Sequence, residues 1–278
     1  MWVLLTKAVN AWFRHRSARL GAALAYYSVF SLGPLLLIVT AIAGIFFGAD
    51  VARRSITAQF RSMLGDTGSQ AVEAMLKGAE SSTAGGWAAV FGIGLLVIAA
   101  LGVVVQLRDA LNTIFEVKEP EDAGVAWYAK VYAMSFAGIL ALGFLLAVSL
   151  ILSAALASFS AWFSGSAAES VVLALLNFAV SLVVLALLFS MLFKWLPDRQ
   201  LAWRDVWLGG FVTALLFNVG KSAIAWYIGT QVFESTYGAA ASLVVLLIWV
   251  YYSAQIVLFG AELTRAYAAR RTTDERHV

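Results

Sequence analysis

Near the C-terminus, Ala239 to Ala261 is 23 residues without a charge, framed by Glu234-Ser235-Thr236-Tyr237-Gly238 before it and by Glu262 and Arg265 after it. At about 1.5 Å of rise per helical residue this run reaches roughly 35 Å, enough to cross a hydrocarbon core of about 30 Å. Five other apolar runs, at about 20–47, 87–105, 127–157, 171–193 and 206–228, have helical length, and strand-like alternation is absent from all of them. The pattern predicts an all-α, polytopic membrane bundle of six transmembrane helices within residues 20–267.

Between these runs the polar segments have patterns of their own. In residues 1–19, Trp2, Leu5, Val9, Trp12 and Phe13 fall on one helical face and Lys7, Asn10 and Arg14 on another, as expected of an N-terminal interfacial helix. Met1 to Leu5 has neither the charged start nor the length of a cleavable signal. Pro34 lies inside the first span, where it removes a backbone donor and predicts a kink. The outer loop 48–86 predicts two short amphipathic helices, around Ile56–Leu64 and Val72–Leu76, separated by Gly65-Asp66-Thr67-Gly68. A short cytoplasmic tail, 268–278, ends the chain.

Polar groups inside apolar runs are the candidates for function, because hydrocarbon leaves an unpaired amide or hydroxyl several kcal/mol worse off. Tyr252, Gln255 and Glu262 are spaced by three and seven and share a face of the last span. Tyr26-Tyr27-Ser28 and Tyr251-Tyr252-Ser253 lie at similar distances from the inner ends of the first and sixth spans, with Ser31 nearby in depth. Arg108, Asp109 and Asn112, at the inner end of the second span, would close this layer from below. Together they predict a polar cavity; the competing reading is an interfacial tyrosine belt with interhelical hydrogen bonds worth about 0.6 kcal/mol each.

Lys221 is the one charge deep within a span, and it shares a face with Asn218 and Ser222. It meets an anionic headgroup entering from the outer leaflet, or it snorkels outwards or pairs with Glu234 across the next connection. The acids Asp109, Glu116, Glu119, Glu121 and Asp122 lack ligand-like spacing and read as a solvated loop, so no metal is implied.

Composition narrows the classes further. The 278 residues are 62% hydrophobic and 13% charged, with a mean hydropathy of +0.86, where soluble domains carry about 25% charged residues. The absence of cysteine excludes disulfides and thiolate chemistry. His15 and His277 lie in basic terminal segments, so an intramembrane histidine site is excluded as well. No phosphate-cradling glycine loop, zinc motif or nucleophile elbow is present, so neither an enzyme nor a cofactor is expected. Of the 19 Lys and Arg, 14 fall in segments 1–19, 106–130, 194–204 and 262–278, which places both termini in the cytoplasm. That placement accounts for the basic balance without nucleic acid. Gly21, Ala25 and Ser28 form a small-residue face that suits packing within the chain or in a homo-oligomer.

Four blocks, GAALAYYSVFSLGPLLL (21–37), LRDALNTIF (107–115), LPDR (196–199) and STYGAAASLVVLLIWVYYSAQIVLFGAELTRAY (235–267), strongly resemble the YihY/BrkB family. The resemblance covers essentially the whole chain and implies a six-span bacterial inner-membrane protein. Family members long carried the label ribonuclease BN, now regarded as misassigned. Links to serum resistance and to tolerance of altered lipopolysaccharide precursors point towards envelope lipid. The family brings no catalytic residues to carry over. Two functions follow as expectations: transport of a lipid or amphipathic anion without ATP, with membrane lipids as partners, or a non-transporting envelope scaffold.

Overall fold

The computed structural model describes residues 2–80, 87–117, 167–230 and 241–274, and every regular element among them is helical. These elements are α1 (Trp2–Arg14), α2 (Ser17–Phe47), α3 (Ala49–Glu80), α4 (Trp87–Ile114), α5 (Ala167–Trp195), α6 (Trp203–Thr230) and α7 (Ala241–Asp274). The run expected to span at 127–157 lies outside the described residues, as do Glu119, Glu121, Asp122 and Glu234. Two stretches, Phe178–Trp195 in α5 and Leu243–Arg271 in α7, are long and apolar enough to cross a membrane.

Helix α7 is the centre of the bundle, packed against each of the other six described helices. Its neighbours α2 and α6 run antiparallel to it. On the second of these seams Thr213 Oγ1 stands where a Cβ on Gly260 would go, and Thr264 Oγ1 does the same for Gly209. Each threonine satisfies its hydroxyl on its own helix, at Gly209 O (2.6 Å) and Gly260 O (2.8 Å). Small residues thus bring two backbones together without leaving polar atoms unpaired. Gly210 against Ser190 repeats the arrangement between α6 and α5. Leu111, Phe115, Phe193, Val206 and Leu258 fill the space between α4, α5, α6 and α7 at the end where α1 lies.

The helix boundaries differ from the sequence expectation in four places. Residues 49–80 form one helix rather than two, running through Gly65-Asp66-Thr67-Gly68. A helical glycine costs only about 1 kcal/mol, and here Ser69 donates to Asp66 O (2.9 Å) while Ile56, Val72 and Leu76 bury against Leu36 of α2. Secondly, α2 is continuous through Pro34. Thirdly, α4 continues past Val105 to Ile114, because Ala110, Leu111 and Ile114 are fully buried. Finally, α7 carries on through the expected tail to Asp274; Ala268 is in the core, and Arg271 Nη1 donates to Asp205 Oδ1 at 2.8 Å.

Two tight corners set the order of the elements. Gly48 (φ 84°, ψ 143°) turns α2 into α3 within one residue, a backbone region open essentially to glycine. Arg16 (φ 52°) turns α1 into α2 in the left-handed conformation, which costs a side-chain-bearing residue roughly 1–2 kcal/mol. That turn leaves α1 lying along α7, with Leu4 and Ala8 buried against Leu263 while Trp2, Leu5, Val9 and Phe13 remain exposed. Pattern reading found the exposed face of α1 and missed the buried one, which is made of smaller residues.

Candidate functional site

Three groups of polar side chains line the interior, and all three involve residues singled out in the sequence. The first is a seam between α2, α6 and α7. Gln255 turns its amide to Gly21 of α2 and donates through Nε2 to Ala18 O at 3.5 Å. Tyr252 lays its ring and hydroxyl over Gly220 of α6. Continuing the pairing of Thr213 with Gly260 along the two helices brings Asn218 level with Gln255. Asn218 Nδ2 donates to Ala214 O of its own helix (3.1 Å). Its Oδ1 is left without a partner, and so are Gln255 Oε1 and Ser253 Oγ, all three buried. An unpaired buried acceptor costs about 1–3 kcal/mol, so this seam has polar capacity in reserve.

Other members of the predicted cavity stand elsewhere. Tyr27 is on the α4 side, beside Gly102, and is largely exposed together with Tyr26. Ser31 donates to Tyr27 O (2.8 Å), within its own helix. Lys221 is a residue of α6, one turn beyond Asn218; its side chain is outside the described set.

The second group is a clamp. Asp198 accepts from Arg108 Nη2 (2.5 Å) and from Asn112 Nδ2 (2.8 Å), and its backbone N–H donates to Asn112 Oδ1 (2.9 Å). Arg199 Nη1 donates to Phe115 O (2.9 Å). The LPDR segment therefore pins the end of α4 to the α5–α6 connection. Arg108 and Asn112 serve this joint, and Asp109, on the same helix end, is exposed.

The third group gathers at the α1 end of α7. Glu262 is wholly buried; its Oε1 accepts from His15 Nδ1 at 2.6 Å and from Ser17 Oγ at 3.4 Å, and its Oε2 has no partner. The other ring nitrogen of His15 lies 3.4 Å from Glu116 Oε1 and 3.5 Å from Arg265 Nη1. Glu116 also pairs with Arg265 and, at 3.5 Å, with Arg14. Burial works against a charge on Glu116, yet Arg265, His15 and Arg14 more than offset it and hold the carboxyl below its ordinary value of 4.5. Glu116 closes α4 with φ 53°, in the position usually taken by glycine, and Val117 N donates back to Asn112 O (2.9 Å).

Two sequence expectations are corrected here. His15 is no mere basic flank; its side chain is only 9% exposed and bonds a buried acid. Glu116 is no solvated loop residue either, although 55% of its side chain meets solvent. Neither role has a local signal, because their partners lie 247 and 101 residues apart in the chain.

The described residues form helices packed around one central helix, two of them with stretches long and apolar enough to cross a membrane, as suits the membrane proteins to which this chain is similar. The chain belongs to the virulence factor BrkB family, whose model matches residues 8–278. It is similar to the UPF0761 membrane protein YihY of Salmonella typhimurium, 35% identical over 216 residues, 76% of this chain and 68% of that one. A UPF0761 membrane protein of Pseudoalteromonas translucida is 29% identical over 258 residues, 90% of this chain and 81% of the relative. One from Rhodospirillum centenum is 28% identical over 264 residues, 92% of this chain and 55% of the relative, so the chain spans about half the length of that protein. No solved structure matches the chain.

Proposed function

We propose that the protein is a six-span inner-membrane protein, with both termini cytoplasmic and α1 lying in the interface, that moves or holds an envelope lipid or amphipathic anion along the α2–α6–α7 seam. No ATP-binding motif and no catalytic constellation enter this reading, so movement is passive or driven by an ion gradient. The observation that carries it is the set of unpartnered polar atoms at Asn218, Ser253 and Gln255. Two of these are amide oxygens, so the group they suit is a hydrogen-bond donor, such as the amine or hydroxyls of a headgroup or the water travelling with it. Lys221, one turn further along α6, supplies the charge for an accompanying phosphate or carboxylate.

The alternative is a non-transporting envelope scaffold, which draws on the Asp198 clamp and the glycine–threonine contacts as plain structural joints. Liposomes containing the purified protein and a fluorescent phospholipid separate the two. Transport predicts lipid scrambling that falls at least tenfold in Gln255→Leu or Tyr252→Phe. Inert liposomes would overturn it in favour of the scaffold.

A further inference from the structure

Glu262 and His15 present a chemistry that the lipid seam does not use. A carboxylate with no exposure to solvent is costly unless it is paired and hydrogen-bonded on both oxygens. Glu262 meets that requirement on Oε1 alone, through His15 and Ser17; Oε2 is enclosed and unpartnered. A proton on the carboxyl removes the charge that Oε2 holds without a partner.

A route to that carboxyl is also in place, through Oε1. Glu116 is more than half exposed, His15 is nearly enclosed and Glu262 is sealed, and they stand in that order with His15 bonded to both acids. The imidazole has a choice of neighbours. With Nδ1–H donated to Glu262, a neutral ring accepts at Nε2 from Arg265 (3.5 Å), whereas a protonated ring donates from Nε2 to Glu116 Oε1 (3.4 Å). Nε2 thus has an acid at 3.4 Å and a guanidinium at 3.5 Å. Among the described residues, the two non-glycine residues with positive φ are Arg16 and Glu116, which flank this chain of groups from its two outer elements.

We propose that Glu262 and His15 form a proton-binding site at the α1 end of the bundle, loaded from water through Glu116. A proton arriving at His15 Nε2 lets Nδ1 release its own to Glu262 Oε1, which leaves the ring neutral in its Nε2–H tautomer; one proton is taken from water and one is held by the carboxyl. The charged groups facing the site are Arg14 from α1, His15 from the α1–α2 turn, Glu116 from the end of α4 and Arg265 from α7 itself. Ser17 is the α2 group in contact, and α6 presents uncharged Gly209 and Thr213 to this stretch of α7. The nearest pair on the α6–α7 seam, Asp205 with Arg271, lies two turns further along α7. The site stands whether or not the protein moves lipid.

Infrared difference spectra of the full-length protein in lipid nanodiscs, taken between alkaline and acidic buffer, read the proposal directly. A carboxylic-acid C=O band should appear on acidification in the wild type and in Glu116→Gln, and be lost in Glu262→Gln. His15→Gln removes the donor that favours the carboxylate, so the midpoint of the band should rise by about one pH unit. A band that survives Glu262→Gln overturns the site, and a midpoint indifferent to His15→Gln overturns the role of the histidine. Should Glu262→Gln fail to fold, Glu262→Asp serves instead: it must shift the band in frequency, and an unshifted band overturns the assignment.

Discussion

Thr213 Oγ1 fills the space in which a side chain on Gly260 would stand, and four residues along each helix Thr264 fills that of Gly209. A methyl at position 209 would overlap the Thr264 hydroxyl and fall 2.7 Å from Gly260 O, which is backbone and cannot swing away. Gly209→Ala is therefore expected to destabilise the bundle by about 2 kcal/mol through overpacking. Thr264→Ala alone should cost only about 0.6 kcal/mol, since that hydroxyl serves its own helix. The double variant should recover part of the loss, though the Gly260 carbonyl still limits it. Thermal unfolding in detergent measures all three, and a double variant as unstable as the sum of the singles would refute the contact.

Asp198 is the common acceptor for Arg108 and Asn112, and Arg108 is only 4% exposed. Removing the acid takes away the carboxylate to which a buried guanidinium donates, a loss of about 2 kcal/mol once the partial access of water to Asp198 is allowed for. Asp198→Ala should thus unfold at clearly lower temperature, with Asp198→Asn intermediate because it keeps an oxygen for Asn112. Equal midpoints for Asp198→Asn and the wild type would show that the charge is irrelevant to the joint.

How far the sequence discloses this molecule depends on the range of the interaction. The prominence of the last helix is legible, because an uncharged run of spanning length is a local property, and α7 is indeed the element on which the rest pack. Gln255 and Tyr252 are likewise legible as inward-facing, since polar groups on an apolar helix need protein partners. The continuity of α3 is not: Gly65 and Gly68 announce a break, and only burial of Val72 and Leu76 against other helices overrides them. Nor are Asp198 and His15, whose partners are 90 and 247 residues away along the chain.

At Gly48 the surrounding space is open, with nothing within 4 Å of an added Cβ, so only the backbone resists substitution. Gly48→Ala should cost about 1–3 kcal/mol for that reason alone. Gly102→Ala is the matched control: it has helical backbone and only an ordinary 3.7 Å contact with Tyr27, and it should be neutral or slightly stabilising. If both substitutions lower the unfolding midpoint equally, conformation at Gly48 is not what matters.

Glu116 gives a pH dependence of definite sign. Its carboxyl lies below the ordinary 4.5 in the folded protein, so its contribution is fully present above that value and is lost as pH falls through the lowered one. The difference in unfolding midpoint between the wild type and Glu116→Gln should persist from neutral pH to about 4.5, decline below that, and vanish once pH has passed the lowered value. Because the side chain is more than half exposed, the difference should also shrink in high salt. A difference that grows on acidification would mean that Glu116 is stabilised in its protonated form.

Gln255 decides between transport and scaffold without any transport assay. Its amide has a long hydrogen bond to Ala18 O on one side and an unpartnered, buried oxygen on the other. A structural glue residue would be expected to have both ends satisfied, and replacing it with leucine would loosen the bundle. A residue kept for a passing headgroup has the opposite signature: leucine of similar size removes an unpaired acceptor and should leave stability unchanged or raise it by about 1 kcal/mol. Asn218→Leu is the companion test, since its amide oxygen is unpaired at the same level of α6. Stabilisation by both would mean that the polar seam is maintained at the expense of the fold, which is how binding sites differ from packing. If instead either variant loses more than about 1 kcal/mol in thermal or denaturant unfolding, the amide is holding helices together and the scaffold reading prevails.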